Sequence, residues 1–246
     1  MEFPLAQTKN THRNRRVAAV AVCTAGALAC VALFFVYAPA LARSDTWRSY
    51  LSLLSAFSQL ICFLTAAAQM ANVLRQIPQE ARPVPPRALL RGGGVVCLFA
   101  LGAALTLPPM LYIGVSLGME PLFYPKAFLL AAAQPALPLA LAGASALFFQ
   151  RLGARRSALI GRVLAALSVF CLAAVLCLGV LAQGSEITPA LSLTLKRLTV
   201  FYPPGLWAGM ALYHTTAHGT LYLFYSLLLP AALSYAVFRK RQRPRE

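Results

Sequence analysis

The sequence predicts an all-α, polytopic membrane helix bundle, and three observations predict it. The 246 residues are 59% hydrophobic and only 11% charged, with a mean hydropathy of +0.69. That is more apolar surface than one soluble domain of this length can bury. Apolar runs of about 20 residues recur along the chain, each long enough to cross about 30 Å of hydrocarbon as a helix. The basic residues fall between those runs rather than among stacking aromatics, so the net charge of +16 reads as a topology signal and not as a nucleic-acid footprint.

Six spans are predicted, at Val17 to Leu41, Tyr50 to Leu74, Val95 to Leu117, Ala127 to Phe149, Val163 to Ala182 and Thr220 to Phe238. They form a single transmembrane domain over residues 1–246, because no connection between them is long enough to hold a soluble domain. Lys9, Arg13, Arg15 and Arg16 precede the first span, and Arg75, Arg82, Arg87 and Arg91 follow the second. Arg151, Arg155, Arg156 and Arg162 follow the fourth, and Arg239, Lys240, Arg241, Arg243 and Arg245 follow the sixth. These place 17 of the 22 Lys and Arg on one side, and the positive-inside rule makes that side, with both termini, cytoplasmic. A basic leader, an apolar stretch and the small residues Ala38, Ala40 and Ala42 also describe a cleavable signal, but the length of the stretch and the five runs after it favour a retained first span.

The six cysteines, Cys23, Cys30, Cys62, Cys97, Cys171 and Cys177, all fall in predicted spans without the close spacing of a redox or metal pair, and are read as small apolar packing residues. Pro108, Pro109, Pro135, Pro138 and Pro230 lie inside spans, where each removes a backbone hydrogen bond and permits a kink.

Two connections carry more information than the spans. The cytoplasmic hinge 75–94 reads RQIPQEARPVPPRALLRGGG; Pro78, Pro83, Pro85 and Pro86 stiffen it, and its charges keep it in water. It offers a rigid charged surface to a cytoplasmic partner, with Arg75, Glu80, Arg82, Pro83 and Arg87 as the candidate contacts. The outer segment 183–219 is too apolar for a solvated loop and is expected to return into the membrane as short helices. Its break is Pro203, Pro204 and Gly205, with proline at an allowed helix start; Tyr202 and Trp207 suit the headgroup interface.

Both segments, ARPVPPRALLRG and FYPPGLWAGMAL, together with six spans and two cytoplasmic ends, resemble the membrane subunits of type-2 ABC exporters. The resemblance implies that the hinge is a coupling helix seated in a cleft of a separate cytoplasmic ATPase. It also implies that the re-entrant segment helps close the outer exit, and that two membrane subunits, a homodimer or a pair of similar chains, enclose the path. The chain departs from that family at its N-terminus, where MEFPLAQTKNTHRNRR lacks an amphipathic stripe.

The chain has no G-x-x-x-x-G-K-[ST] loop, and Gly92 to Gly94 precede apolar residues with no Lys to reach a phosphate. ATP hydrolysis is therefore assigned to the partner, and no cofactor is expected in this chain. The alternative rests on His214 and His218, four residues apart and so on one face if helical. They point to an intramembrane metal-dependent enzyme or a metal carrier, with Glu186, Tyr213 or Tyr222 as candidate further ligands. Zinc needs three or four ligands and the spans hold no acidic residue, so the histidines are read as interfacial side chains. A passive scaffold needs no motif and stays open. The Ala-, Leu- and Arg-rich composition suits a bacterial inner membrane.

Overall fold

The computed structural model describes residues 47–75, 92–152, 154–181, 197, 202–214 and 217–239. The first predicted span, most of the hinge and most of 183–201 lie outside them. Among the described residues the chain is helical, with α1 at Trp47–Arg75, α2 at Gly92–Ser116, α3 at Phe123–Ala133 and α4 at Ala136–Phe149. After these come α5 at Ala154–Leu181, α6 at Pro203–Tyr213 and α7 at Ala217–Arg239.

Among the described residues, four stretches are long and apolar enough to cross a membrane: Leu51–Leu74, Gly94–Ser116, Phe123–Phe149 and Ala217–Val237. Helix α5 starts nine residues before the expected span at Val163, because Arg155, Arg156 and Arg162 continue the helix out of the apolar run. Such straight-chain residues lose little rotamer freedom in a helix.

Helix α1 is the centre. It packs against α2, α4, α5 and α6, and α7 lies outside against α3, α4 and α6. The apolar stretch of α1 is 67% buried and that of α7 only 6%, although both are similarly apolar, so position and not composition separates them. The outer faces carry exposed Phe128, Leu129, Phe148, Val163, Phe170, Phe224 and Leu228. A soluble monomer rarely leaves so much apolar area uncovered, whereas lipid covers it without penalty.

Two clusters define the ends. At one, Trp47 and Leu51 of α1 meet Met110 and Ile113 of α2, Phe123 and Ala127 of α3, and Ala211 and Leu212 of α6. At the other, Ala67, Met70 and Leu74 of α1 meet Leu98, Ala142, Ala146 and Phe149, with Ile160 and Leu164 of α5 against them. The alanines let backbones approach closely, which is how helices associate when lipid is as apolar as leucine.

The connections follow from local chemistry. After α2, the Met119 N–H donates to the Gly114 carbonyl (2.9 Å) and the Gly118 N–H to that of Val115 (3.3 Å), with Gly118 at φ +58°. This is a Schellman ending, and it needs a residue that tolerates the left-handed region. The expected fourth span starts earlier, at Phe123, and is broken in two at Gln134 and Pro135. Pro135 and Pro138 cannot donate to the carbonyls four residues back, so the ladder fails on both sides of Gln134. Helix α2 continues through Pro108 and Pro109, and α7 through Pro230.

Helix α6 is the shortest with α3, at 11 residues, or about 16 Å, half of what a crossing requires. Its prolines stand at the first two helical positions, where N–H groups would be orphans. The next two N–H groups, of Gly205 and Leu206, both donate to the Tyr202 carbonyl (3.1 and 3.2 Å). A helix start built this way leaves few unmet donors and can sit away from water.

Gly205 brings the start of α6 directly against α1. A Cβ there would lie 2.9 Å from both the Ser52 carbonyl oxygen and the Ala56 Cβ on α1. Because one of these is backbone, nothing can swing aside, and Gly205→Leu is expected to force α6 off α1 at about 1–3 kcal/mol, the usual scale of overpacking. Thermal unfolding of the purified variant in detergent checks this; a midpoint equal to that of the native chain would contradict it.

Candidate functional site

Polar side chains are scarce in the bundle and concentrated on α1. Ser52, Ser55, Ser58 and Gln59 are all buried there. Several hydroxyls elsewhere are satisfied by nearby backbone: the buried Thr106 donates to the Gly102 carbonyl (2.8 Å) and Ser157 to that of Phe149 (3.1 Å), and the half-buried Ser145 to that of Ala142 (2.8 Å). Ser55 and Gln59 instead reach across the fold.

Gln59 is 6% exposed and Gln134 3%. The Gln59 Nε2 donates to Gln134 Oε1 (2.8 Å), Gln134 Nε2 donates to Ser55 Oγ (3.1 Å), and the Tyr202 hydroxyl donates to Gln59 Oε1 (2.6 Å). Three parts of the chain separated by 75 and 143 positions thus meet in one network. Each is placed by its own backbone. Gln59 lies within the apolar stretch of α1, Gln134 is the C-cap of α3 just before Pro135, and Tyr202 is the N-cap of α6.

The cluster lies at mid-depth. Gln134 falls near the middle of the 27-residue stretch Phe123–Phe149. Tyr202 meets α1 at Gln59, while Tyr213, at the other end of α6, has its ring centroid 5.9 Å from that of Trp47. Twelve helical residues from Trp47 to Gln59 rise about 18 Å, which matches the length of α6. Helix α6 therefore runs antiparallel to the first half of α1, from the middle of the bundle to one end.

Two spaces adjoin the network. One is an open cleft of about 360 Å³ lined by Leu53, Phe57, Leu60 and Phe63 of α1 and Pro138 and Leu141 of α4, with Gln59 and Tyr202 as its polar groups. The other, of about 10 Å³, lies where Gln59 and Gln134 approach Trp207, Ser226 and Pro230. The Ser226 and Ser58 hydroxyls are buried without a hydrogen-bond partner. The smaller space has room for about one water, and Gln59, Gln134 and Ser226 are among the side chains that line it.

Tyr202 and Trp207, expected at the headgroup interface, make contacts within the bundle. Tyr202 bonds to Gln59 inside the bundle, and Trp207 packs on Tyr225 of α7, centroids 5.7 Å apart. Their rings cover polar and small groups where α6 meets α1 and α7, which interface propensity alone does not reveal. Pro203 and Pro204 open α6 and Gly205 is buried against α1.

His214 is not helical. It caps α6 in extended conformation, its N–H donating to the Met210 carbonyl (3.0 Å), so the one-face argument for His214 and His218 loses its premise. The rings still lie 6.4 Å apart, with His214 stacked on Tyr222 (6.3 Å) and edge-on to Tyr213 (4.8 Å). The Lys126 ammonium donates to the His214 carbonyl (3.1 Å), which brings a cation to the same end. Among the described residues no group of three or more His, Cys, Asp or Glu is close enough to hold a metal. Arg75 is the last residue of α1; Glu80, Arg82, Pro83 and Arg87 lie outside the described residues.

Gln59, Gln134 and Ser55 carry no charge, so a charge criterion does not single them out within the spans. An amide inside an apolar run is itself a signal, because it must find a partner or lose several kcal/mol. No family model, curated protein or solved structure matches this chain.

The network predicts a coupling. Gln59→Leu is expected to cost about 1–3 kcal/mol by leaving Gln134 Oε1 and the Tyr202 hydroxyl without their partner, and Gln59→Leu with Gln134→Leu less than the sum of the two single changes. A double-mutant cycle on unfolding in mixed micelles measures it, with an interaction of about 0.6–1.7 kcal/mol expected for a bond between membrane helices. Strict additivity would separate the two amides.

Proposed function

We propose that this chain is the transmembrane permease subunit of an ATP-driven exporter in a bacterial inner membrane. It couples a separate cytoplasmic ATPase to movement of a substrate across the bilayer. The observation that carries the reading is α6, a half-length helix with a P-P-G start that meets α1 at mid-depth and returns to the end where α7 begins. That arrangement agrees with the re-entrant element of the exporter subunits which the sequence resembles, and with a bundle of six spans with both ends inside.

Charge supports the same orientation. Arg75, Arg151 and Arg155 lie near the cluster of Leu74, Phe149 and Leu152, whereas Lys126, His214 and His218 gather at the opposite end. By the positive-inside rule the first end is cytoplasmic, which puts the hinge after Arg75 within reach of a soluble partner.

The mechanism then depends on linkage. An ATPase that binds the hinge and changes shape with nucleotide shifts the bundle between two packings, by as much as its affinity for the two differs. The break at Gln134 and Pro135 and the short contact of α6 with α1 are places where rigid segments can move against one another. Two such subunits, identical or similar, enclose the path.

Affinity purification of the full chain from its native membrane in mild detergent tests this. A stoichiometric soluble ATPase is expected, with at least about tenfold less recovered when Arg82→Glu and Arg87→Glu are combined. Such a loss corresponds to about 1.4 kcal/mol or more of interface energy. Purification without any ATPase would remove the exporter reading.

A further inference from the structure

We propose that the cleft between α1 and α4 binds a single uncharged amphiphile, its apolar body against Phe57, Leu60, Phe63 and Leu141 and its amide or hydroxyl group on Gln59 and Tyr202. This names the class of cargo for the exporter proposed above and rests on that reading for transport, though not for binding.

The volume, about 360 Å³, falls in the range of small-molecule sites, and its lining follows the usual recipe of apolar walls with a few placed polar groups. Those polar groups have hydrogen-bonding capacity left over. Gln59 Nε2 carries two N–H donors and one is used, on Gln134. The Tyr202 oxygen donates its proton to Gln59 and keeps its lone pairs. A ligand group that accepts from the amide and donates to the phenol oxygen meets both, as a primary amide or an alcohol does.

The same chemistry excludes other occupants. No charged side chain is among the described residues lining the cleft. An ion at this depth would lack a counter-charge and lose its hydration, a penalty of several kcal/mol. An ordinary phospholipid keeps its charged head at the surface and can offer only hydrocarbon here, leaving the Gln59 N–H unmet. The cleft is open at Leu60 and Leu141, 41% and 42% exposed, so an amphiphile dissolved in the bilayer enters sideways without crossing water. The polar cluster forms the inner wall, where a head group replaces hydration with two fixed partners.

The test uses the full chain in phosphatidylcholine nanodiscs and three probes of one length, each with a diazirine and an alkyne on a dodecyl chain. One ends in a primary amide, one in trimethylammonium and one in a methyl group. Crosslinks are mapped by mass spectrometry. Saturable labelling of Leu53 to Phe63 and Pro138 to Leu141 by the amide probe is expected, displaced by unlabelled dodecanamide, with the other two at least about tenfold weaker. Tyr202→Phe is expected to weaken amide labelling about 3- to 10-fold, the scale of one hydrogen bond. Leu141→Trp, at a partly exposed site that does not touch the network, is expected to abolish it by filling the cleft.

Equal, non-saturable labelling by all three probes, or labelling indifferent to both substitutions, would reduce the cleft to lipid-facing surface and overturn the proposal. Saturable amide labelling in a chain that co-purifies with no ATPase upholds the site and removes the exporter reading. An ATPase recovered without saturable labelling removes the site alone.

Discussion

The hydrogen bond between Gln59 and Gln134 is the constraint that the rest of the arrangement serves. In water an amide on a helix surface is indifferent to its neighbours, but inside hydrocarbon it must be paired. Gln59 sits on the most enclosed helix of the bundle and Gln134 at the break of the crossing Phe123–Phe149, and their bond sets the register of these two elements. Tyr202 extends that register to α6 through the remaining acceptor of Gln59. Small residues do the rest: Gly205 lets α6 lie on the α1 backbone, and Gly161 lets α5 approach Ala71 and Asn72.

The proline break has its consequence in the same place. A continuous helix through Gln134 would leave the carbonyl of Gln134 opposite Pro138, which cannot donate to it. Gln134 and Pro135 separate α3 from α4 while keeping right-handed helical dihedrals, and the Gln134 side chain donates to Ser55 on α1. Helix α6 solves a related problem at its own start. Two prolines remove donors that would have nowhere to go, and the Tyr202 carbonyl takes the next two. A bundle with internal helix ends can be stable in a bilayer only when each end is closed in this way.

The large apolar stretches were legible in the sequence because length and hydropathy report directly on the solvent that a helix can face. Helices therefore occur where the second, third and sixth apolar runs lie, and α5 covers the fifth from Val163 to Leu181. What local pattern could not supply was inside from outside. Helices α1 and α7 have similar hydropathy, yet among the described residues one is the centre and the other lies at the outside; an all-apolar helix has no stripe to announce its neighbours. The two histidines show the reverse error: their spacing was read on a helix that ends at Tyr213, one residue before the first of them.

The sequence by itself determined the class of protein, an apolar multi-helix chain, together with its charge asymmetry and the helix start at Pro203. Each of these depends on residues close together in the chain. Only the tertiary structure decided that Ser55, Gln59, Gln134 and Tyr202 form one network beside an apolar cleft, because that pairing joins positions 75 and 143 apart. No local propensity encodes such a distance. It is chosen when the helices pack, by the demand that each buried amide and hydroxyl find a partner in a solvent that offers none.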